Sequence, residues 1–315
     1  MSEATVEDIK GPTGRAADAR FALHLFRQNP LIIAGLIVSV GTLFISVFAD
    51  FLVNPKVGFV NQSQESLRLC WNNPLIDWHI RNIFDCAGPI YPLGTDAEGR
   101  SVLGVIILAI PLDVRIALEV VTSAVIIGVG FGATAAYAGG VIDEVILRVT
   151  DVFLAVPSIL LAIVIIAVTL PTEHTFNLLT IAILITWWPT YVRLIRSQVL
   201  GEKEKPYVEG LKAMGAGRIR ILFRHVVPNS IYPIFVQATL DIGSVILTVT
   251  ALTFLGITPN PTTPELGNLA NEGIMNIFTA PWMIIFSGIT ILIISLGFNL
   301  LGDGIRDVFD PRLRR

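Results

Sequence analysis

The sequence predicts an all-α membrane protein with six transmembrane helices, and three observations predict it. Hydrophobic residues make up 53% of the 315 residues and charged residues only 15%, with a mean hydropathy of +0.71. That apolar content exceeds what a soluble domain of this size carries. The apolar residues also gather into uncharged runs of about 20, the length that crosses a bilayer core. Finally, Lys and Arg crowd the stretches that six spans place on one side of the membrane.

Residues 1–30 come first, a tail rich in Ala, Gly and charge to about Arg20 and expected to lack a packed core of its own. Phe21, Leu23, Leu25 and Phe26 beside Arg20 and Arg27 suit a short amphipathic helix on the inner membrane surface. No cleavable leader is expected ahead of the first span, which stays as an anchor over 31–53 with its apolar core from Leu31 to Ala49.

The next segment, 54–111, is expected outside and holds both cysteines, Cys70 and Cys86. Two readings stand there. A disulfide would close a loop of roughly sixteen residues for about 3 kcal/mol, with Trp71, Trp78 and Phe84 packing as a small lid over a pathway or against an external protein. Alternatively both are free thiols in a structural insertion. Thr95, Asp96, Glu98 and Arg100 read as a helix start, with capping side chains where a helix should begin.

The second to sixth spans are Val120–Ile142, Val152–Thr172, Thr175–Val192, Pro233–Ile257 and Trp282–Leu301, with a tail at 303–315. Gly128, Gly130, Gly132, Pro157, Gly243 and Gly256 suit close helix packing and local kinks. Charges near spans are expensive. Arg115 and Glu119 at i, i+4 can pair, as can Arg148 and Asp151 at i, i+3. Asp241 has no partner at helical spacing: it lines a watery cavity, pairs with a companion subunit, or lies near enough to the inner surface to be hydrated.

With the termini inside, Arg148, Arg193, Arg196, Lys203, Lys205, Lys212, Arg218, Arg220, Arg224 and Arg306 face the cytosol, against Lys56, Arg68, Arg81 and Arg100 outside. The asymmetry puts the segment 193–232 in the cytosol. Its centre reads as two short helices. Pro206 fits a first helical position and Gly215 the position after a helix end, so one helix runs from Pro206 to Met214. Val208, Leu211 and Met214 share a face. A second helix, interleaving Arg218, Arg220 and Arg224 with Ile219, Ile221, Leu222 and Phe223, runs until Pro228 stops it. From periodicity alone this is either a docking element or an ordinary solvated hairpin.

Several chemistries are excluded. There is no Gly-Lys dipeptide, hence no phosphate-binding loop of that kind. His24, His79, His174 and His225 are scattered, so no metal site is expected. No Gly-x-Ser-x-Gly elbow or paired nucleophile and base occurs, and the chain is not expected to be an enzyme.

The order Glu209, Gly215, Pro228 resembles the cytoplasmic "EAA" loop of ABC importer permeases. Gly210 and Leu211 stand where that family has two alanines. Further matches narrow the resemblance to the C-type permeases of the dipeptide, oligopeptide and nickel group: the stretches beginning at Pro92, Thr150, Arg193, Phe254, Phe298 and Asp310, in collinear order. The resemblance implies a type I ABC importer (MetI-like) fold with its transmembrane core over 112–302. It implies that Glu209, Gly210, Leu211, Ala213, Met214, Gly215, Ala216 and Arg218 couple the chain to an ATPase. The implied assembly is a heterodimer with a homologous B-type permease, two ABC ATPase subunits that bind ATP and Mg, and an external solute-binding protein. Membrane lipid surrounds it, and no nucleic acid or cofactor on this chain is implied. Peptides are the expected cargo, with nickel chelates or oligosaccharides as competitors. A secondary transporter is the reading from another class, but it calls for paired intramembrane charges and an internal repeat. Asp241 is the only candidate charge, and no repeat is seen.

Overall fold

The computed structural model describes residues 29–53, 93–96, 99–169, 176–258, 260 and 263–309. The N-terminal amphipathic segment, the loop with Cys70 and Cys86, and the tail from 310 lie outside the described residues. What is described is helical, apart from turns and one isolated bridge between Thr95 and Ser101.

The helices, in chain order, are α1 (Pro30–Leu52), α2 (Val102–Ala138), α3 (Gly140–Leu154), α4 (Ser158–Thr169), α5 (Phe176–Lys203), α6 (Pro206–Ala213) and α7 (Arg218–Ile221). A π turn (Leu222–Val226) leads into α8 (Val227–Ser230), α9 (Tyr232–Phe254), α10 (Leu266–Met275) and α11 (Pro281–Phe309). Helices α1, α5, α9 and α11 are long and apolar enough to cross a membrane, and α3 with α4 makes a fifth crossing if that bent pair is one span. The expected six-span count is therefore not reached by this measure. The outer surface is what a bilayer demands: Ile37, Val47 and Phe51 of α1 and Leu292 and Leu296 of α11 point away from the protein. Several hydroxyls within the spans bond back to their own helix, as Thr42 does to the Val38 carbonyl at 2.8 Å and Thr248 to the Ser244 carbonyl at 2.9 Å.

Three expected boundaries move. The second span belongs to a helix of 37 residues, about 55 Å long, which starts at Val102, inside the segment 54–111, and ends at Ala138. Gly139 and Gly140 both adopt positive φ there, so Ile142 already belongs to α3. The third span, expected to be continuous over Val152–Thr172, breaks at 155–157, and its two halves meet at 83°. Pro157 has no N–H to give, and its ring pushes Val156 out of helical geometry. The helix expected to follow Thr95–Arg100 starts at Val102, and Glu98 of that stretch lies outside the described residues. Asp96 Oδ1 accepts from the Arg100 N–H at 2.7 Å, the Thr95 carbonyl accepts from Trp282 Nε1 at 2.9 Å, and Ser101 caps α2.

The main core fills the space between α2, α4, α5, α9, α10 and α11, with Ile116, Leu179, Ile246, Leu252 and Leu269 among its buried residues. Helices α2 and α5 pack backbone to backbone along a seam. A Cβ on Gly128 would lie 2.2 Å from Tyr191 Cβ, and one on Gly132 would lie 2.4 Å from the Val192 carbonyl oxygen. Glycines four apart on one helix face thus let the two backbones touch.

Beside that seam lies Asp241. It is buried and accepts hydrogen bonds from the Tyr191 hydroxyl at 2.7 Å and from Gln237 Nε2 at 2.9 Å. Two expectations for its surroundings are corrected: Gln237 is a partner at helical spacing, and the carboxyl is buried in the bundle, not hydrated at its surface. The pairing expected between Arg148 and Asp151 is also replaced. Arg148 pairs with Glu144 at 3.6 Å, and Asp151 pairs with Arg193 across to α5. Arg115 and Glu119 do pair, at 2.8 Å.

Candidate functional site

The segment from Lys205 to Ser230 hangs from the end of the bundle that also carries Arg193, Arg196 and Lys203. Its first helix forms for the reasons its residues suggest. Pro206 occupies the first turn, where a missing N–H is harmless, and Glu209 puts an acidic side chain near the positive end of the helix. The helix stops at Met214 because Gly215 turns left-handed, with φ of 81°. The Gly215 N–H then reaches the Lys212 carbonyl at 3.0 Å, and the Ala216 N–H reaches the Leu211 carbonyl at 3.1 Å. These are the paired bonds of a Schellman motif. A Cβ at Gly215 would meet nothing within 4 Å, so the backbone angle, not crowding within this chain, is what calls for glycine.

The second element departs from expectation. Pro228 does not stop it; the chain stays helical to Ser230. A prolyl ring cannot offer an N–H to the carbonyl four residues back, and the turn just ahead widens to i, i+5 spacing, with the Val227 N–H bonded to the Leu222 carbonyl. A π turn is how a helix absorbs such a misfit.

The shared face expected of Val208, Leu211 and Met214 is divided. Val208 is fully buried, Leu211 is partly covered and Met214 is 77% exposed. Val208, Ile221, Leu222 and Val226 pack into a second core with Ala133, Ala136, Ile195 and Val199 of α2 and α5. Turned the other way are Met214, Ile219 (77% exposed) and Phe223 (54%), interspersed with Glu209, Gly210, Ala213, Gly215 and Arg218, all exposed. Leu211 and Ala216 sit at the boundary between the two faces. Six of the eight coupling candidates are thus exposed from α6 to the start of α7, Leu211 and Ala216 are partly covered, and Asp241 lies apart from them inside the bundle.

A polar network that spacing did not reveal holds the strip in place. Glu202, nearly buried at the end of α5, accepts from the Tyr207 hydroxyl at 2.8 Å and from Lys205 Nζ at 2.6 Å. That bond raises the Lys205 ammonium above its ordinary pKa. Asn229 Nδ2 donates to the Tyr207 oxygen at 3.3 Å, tying α8 to α6, and Lys203 Nζ donates to the Ala136 carbonyl at 2.8 Å. Arg196 forks onto Asp143 with two bonds of 2.6 Å, joining α5 to α3. Bidentate pairs of this kind fix orientation as well as distance. Only the short-range pair of Glu202 with Lys205, at i, i+3, left a signal in the sequence.

Among the described residues no group of three His, Cys, Asp or Glu could hold an ion. The site is an exposed apolar and basic strip whose other face packs against the feet of α2 and α5. It can receive a push and pass it to the bundle.

Residues 128–315 match the family model described as "Binding-protein-dependent transport system inner membrane component". The chain is 36% identical over 295 residues to a dipeptide transport system permease protein of Alkalihalophilus pseudofirmus, covering 94% of this chain and 90% of the relative. It is 34% identical to the dipeptide transport system permease protein of Haemophilus influenzae, covering 92% and 93%. To the oligopeptide transport system permease protein of Bacillus subtilis it is 32% identical, covering 93% and 90%.

Proposed function

The chain belongs to the binding-protein-dependent transport system inner membrane component family, and on that premise we propose that it is the membrane-spanning permease subunit of an ATP-driven importer of di- or oligopeptides. The peptide cargo rests on the names of its relatives. The single observation that carries the mechanical role is the strip at Met214, Ile219 and Phe223: apolar side chains facing out from an element whose other face is locked into the bundle.

Counting α2 as a span beside α1, α5, α9, α11 and the bent pair gives six, and residues 120–138 of α2 carry no charge. Both termini and the strip then face the cytosol of a plasma membrane, in keeping with the Lys and Arg asymmetry. The chain has no nucleotide site and is not itself an enzyme. Its partners are a homologous B-type permease, two ATPase subunits that bind ATP and Mg, and an external solute-binding protein.

Uphill transport needs an inward and an outward state whose balance can be tilted, and a swing from 1:99 to 99:1 takes about 5.5 kcal/mol. ATP binding by the partner subunits supplies it. Their closure moves the strip formed by Glu209, Gly210, Leu211, Ala213, Met214, Gly215, Ala216 and Arg218. The Glu202 and Arg196 ties convert that displacement into rigid-body motion of α3 and α5.

Co-purification with uptake assays tests this reading. Stoichiometric ATPase subunits and uptake that requires ATP are expected. A lone chain that accumulates solute in an ion gradient would replace the importer with a secondary carrier.

A further inference from the structure

At the end of the bundle opposite the strip, two acidic side chains meet out of water. Asp113 on α2 and Glu265 at the start of α10 are 1% and 0% exposed. The N–H of Leu266, the residue after Glu265, donates to Asp113 Oδ2 at 3.4 Å, which sets the two buried carboxyl groups side by side. Asp113 Oδ1 and Glu265 Oε1 are buried with no hydrogen-bond donor to satisfy them among the described residues.

Two carboxylates in contact in a dry site repel strongly, and neither can donate to the other unless a proton is present. We propose that Asp113 and Glu265 form a proton-binding site in which one shared proton fastens α10 to α2.

The surroundings assign the proton to Asp113. Glu265 caps α10, accepting from the Asn268 N–H at 2.7 Å and also from the Gly267 N–H. These donors and the positive end of a ten-residue helix favour a charged carboxylate there. Asp113 receives only the longer bond from the Leu266 N–H, 3.4 Å, and so donates to Glu265. Burial raises the Glu265 carboxyl above its ordinary pKa, in the same direction as a site that keeps one proton for two acids.

The charged groups nearby are engaged elsewhere. Arg100 is held by Asp96 at 2.5 Å and by Glu272 at 3.5 Å. Arg115 and Glu119, on the helix of Asp113, pair with each other. Thr253 is the polar neighbour on α9. Among the described residues, the acidic and basic side chains of α9 and α11 are Asp241, Asp303, Arg306 and Asp307, in the halves nearer the strip.

The site goes beyond the transport role. Under the orientation proposed above it makes the seat of α10 responsive to external pH, but its test does not depend on that orientation. The folded state binds a proton that the unfolded chain gives up above the ordinary carboxylate range, so stability falls as pH rises through the titration of the pair.

The test uses the full chain, purified with its partner subunits in lipid nanodiscs. Infrared difference spectra of wild type minus Asp113→Asn should show a carboxylic-acid C=O band at neutral pH that shifts in D2O and disappears at high pH. Over the same interval the wild-type melting temperature should fall, whereas the variant, whose amide always donates, should show a flat profile. Should that variant fail to assemble, Glu265→Gln gives a second subtraction, and the wild-type band with its D2O shift stands alone. Absence of the band at neutral pH, or an unchanged pH profile in Asp113→Asn, overturns the site. So does a melting temperature that follows added Na+ or Ca2+ instead of pH, since the occupant would then be a metal cation.

Discussion

The seam between α2 and α5 and the strip that hangs below it are built on opposite principles. In the seam, Gly128 and Gly132 bring one backbone against Tyr191, Val192 and Ile195 of the next helix, with no room for even a Cβ. In the strip, Gly210, Gly215 and Gly217 face open space, and large apolar side chains are left uncovered. A contact with no slack transmits motion without deforming, because packed interiors shift as units rather than compress. An uncovered apolar element keyed to such a unit is suited to being held by something else. On the function proposed above, the seam moves as one body and the strip is where it is moved.

The largest effect should come from filling the seam. Gly132→Leu would drive side-chain atoms into the Val192 carbonyl, where a single Cβ already falls at 2.4 Å. Overpacking costs typically about 1–3 kcal/mol, and a clash with backbone should exceed that. Loss of folded protein from the membrane, followed by fluorescence-detected size exclusion, is the expected outcome.

Changing the strip should separate function from folding. Gly215→Arg finds open space and a cost of about 1–2 kcal/mol for a side chain at positive φ. Membrane insertion should be intact while uptake and transport-coupled ATP hydrolysis are lost. Normal uptake would reduce the strip to an ordinary solvated hairpin.

A smaller effect is expected where the strip joins the seam. Glu202→Ala leaves Tyr207 and Lys205 without their acceptor, a loss of about 1–3 kcal/mol. Uptake should fall and the strip should become more accessible to protease, with the transmembrane fold retained.

The smallest is Gly210→Ala, which adds a methyl in open space and up to about 1 kcal/mol of helix propensity. Its melting temperature should rise slightly.

What could be read in the sequence follows the range of each interaction. Pro206 and Gly215 announced the first helix of the strip because their backbone restrictions act locally, and both occupy their expected positions. Uncharged runs located α1, α5, α9 and α11 for the same reason. Pro228 misled, since whether a proline ends a helix or is absorbed by a π turn depends on the packing of Leu222 and Val226, which local spacing does not encode. Pro157 suggested a kink but not a bend of 83°. Tyr191, which bonds Asp241, and the partners of Asp143 and Asp113 lie on other helices, beyond rules that pair residues three or four apart, whereas Gln237, four residues before Asp241, was within their reach. The same blindness hid the Tyr207 and Asn229 ties, without which the strip would read as an isolated hairpin.

Cross-linking from a single cysteine placed at Met214, in membranes containing the co-expressed partner subunits, tests the central claim most directly. The chain should join to the ATPase subunit in good yield, and the yield should change when ATP is bound. A cysteine that reacts instead with a membrane-impermeant reagent added from outside intact cells, and never with the ATPase, would contradict it.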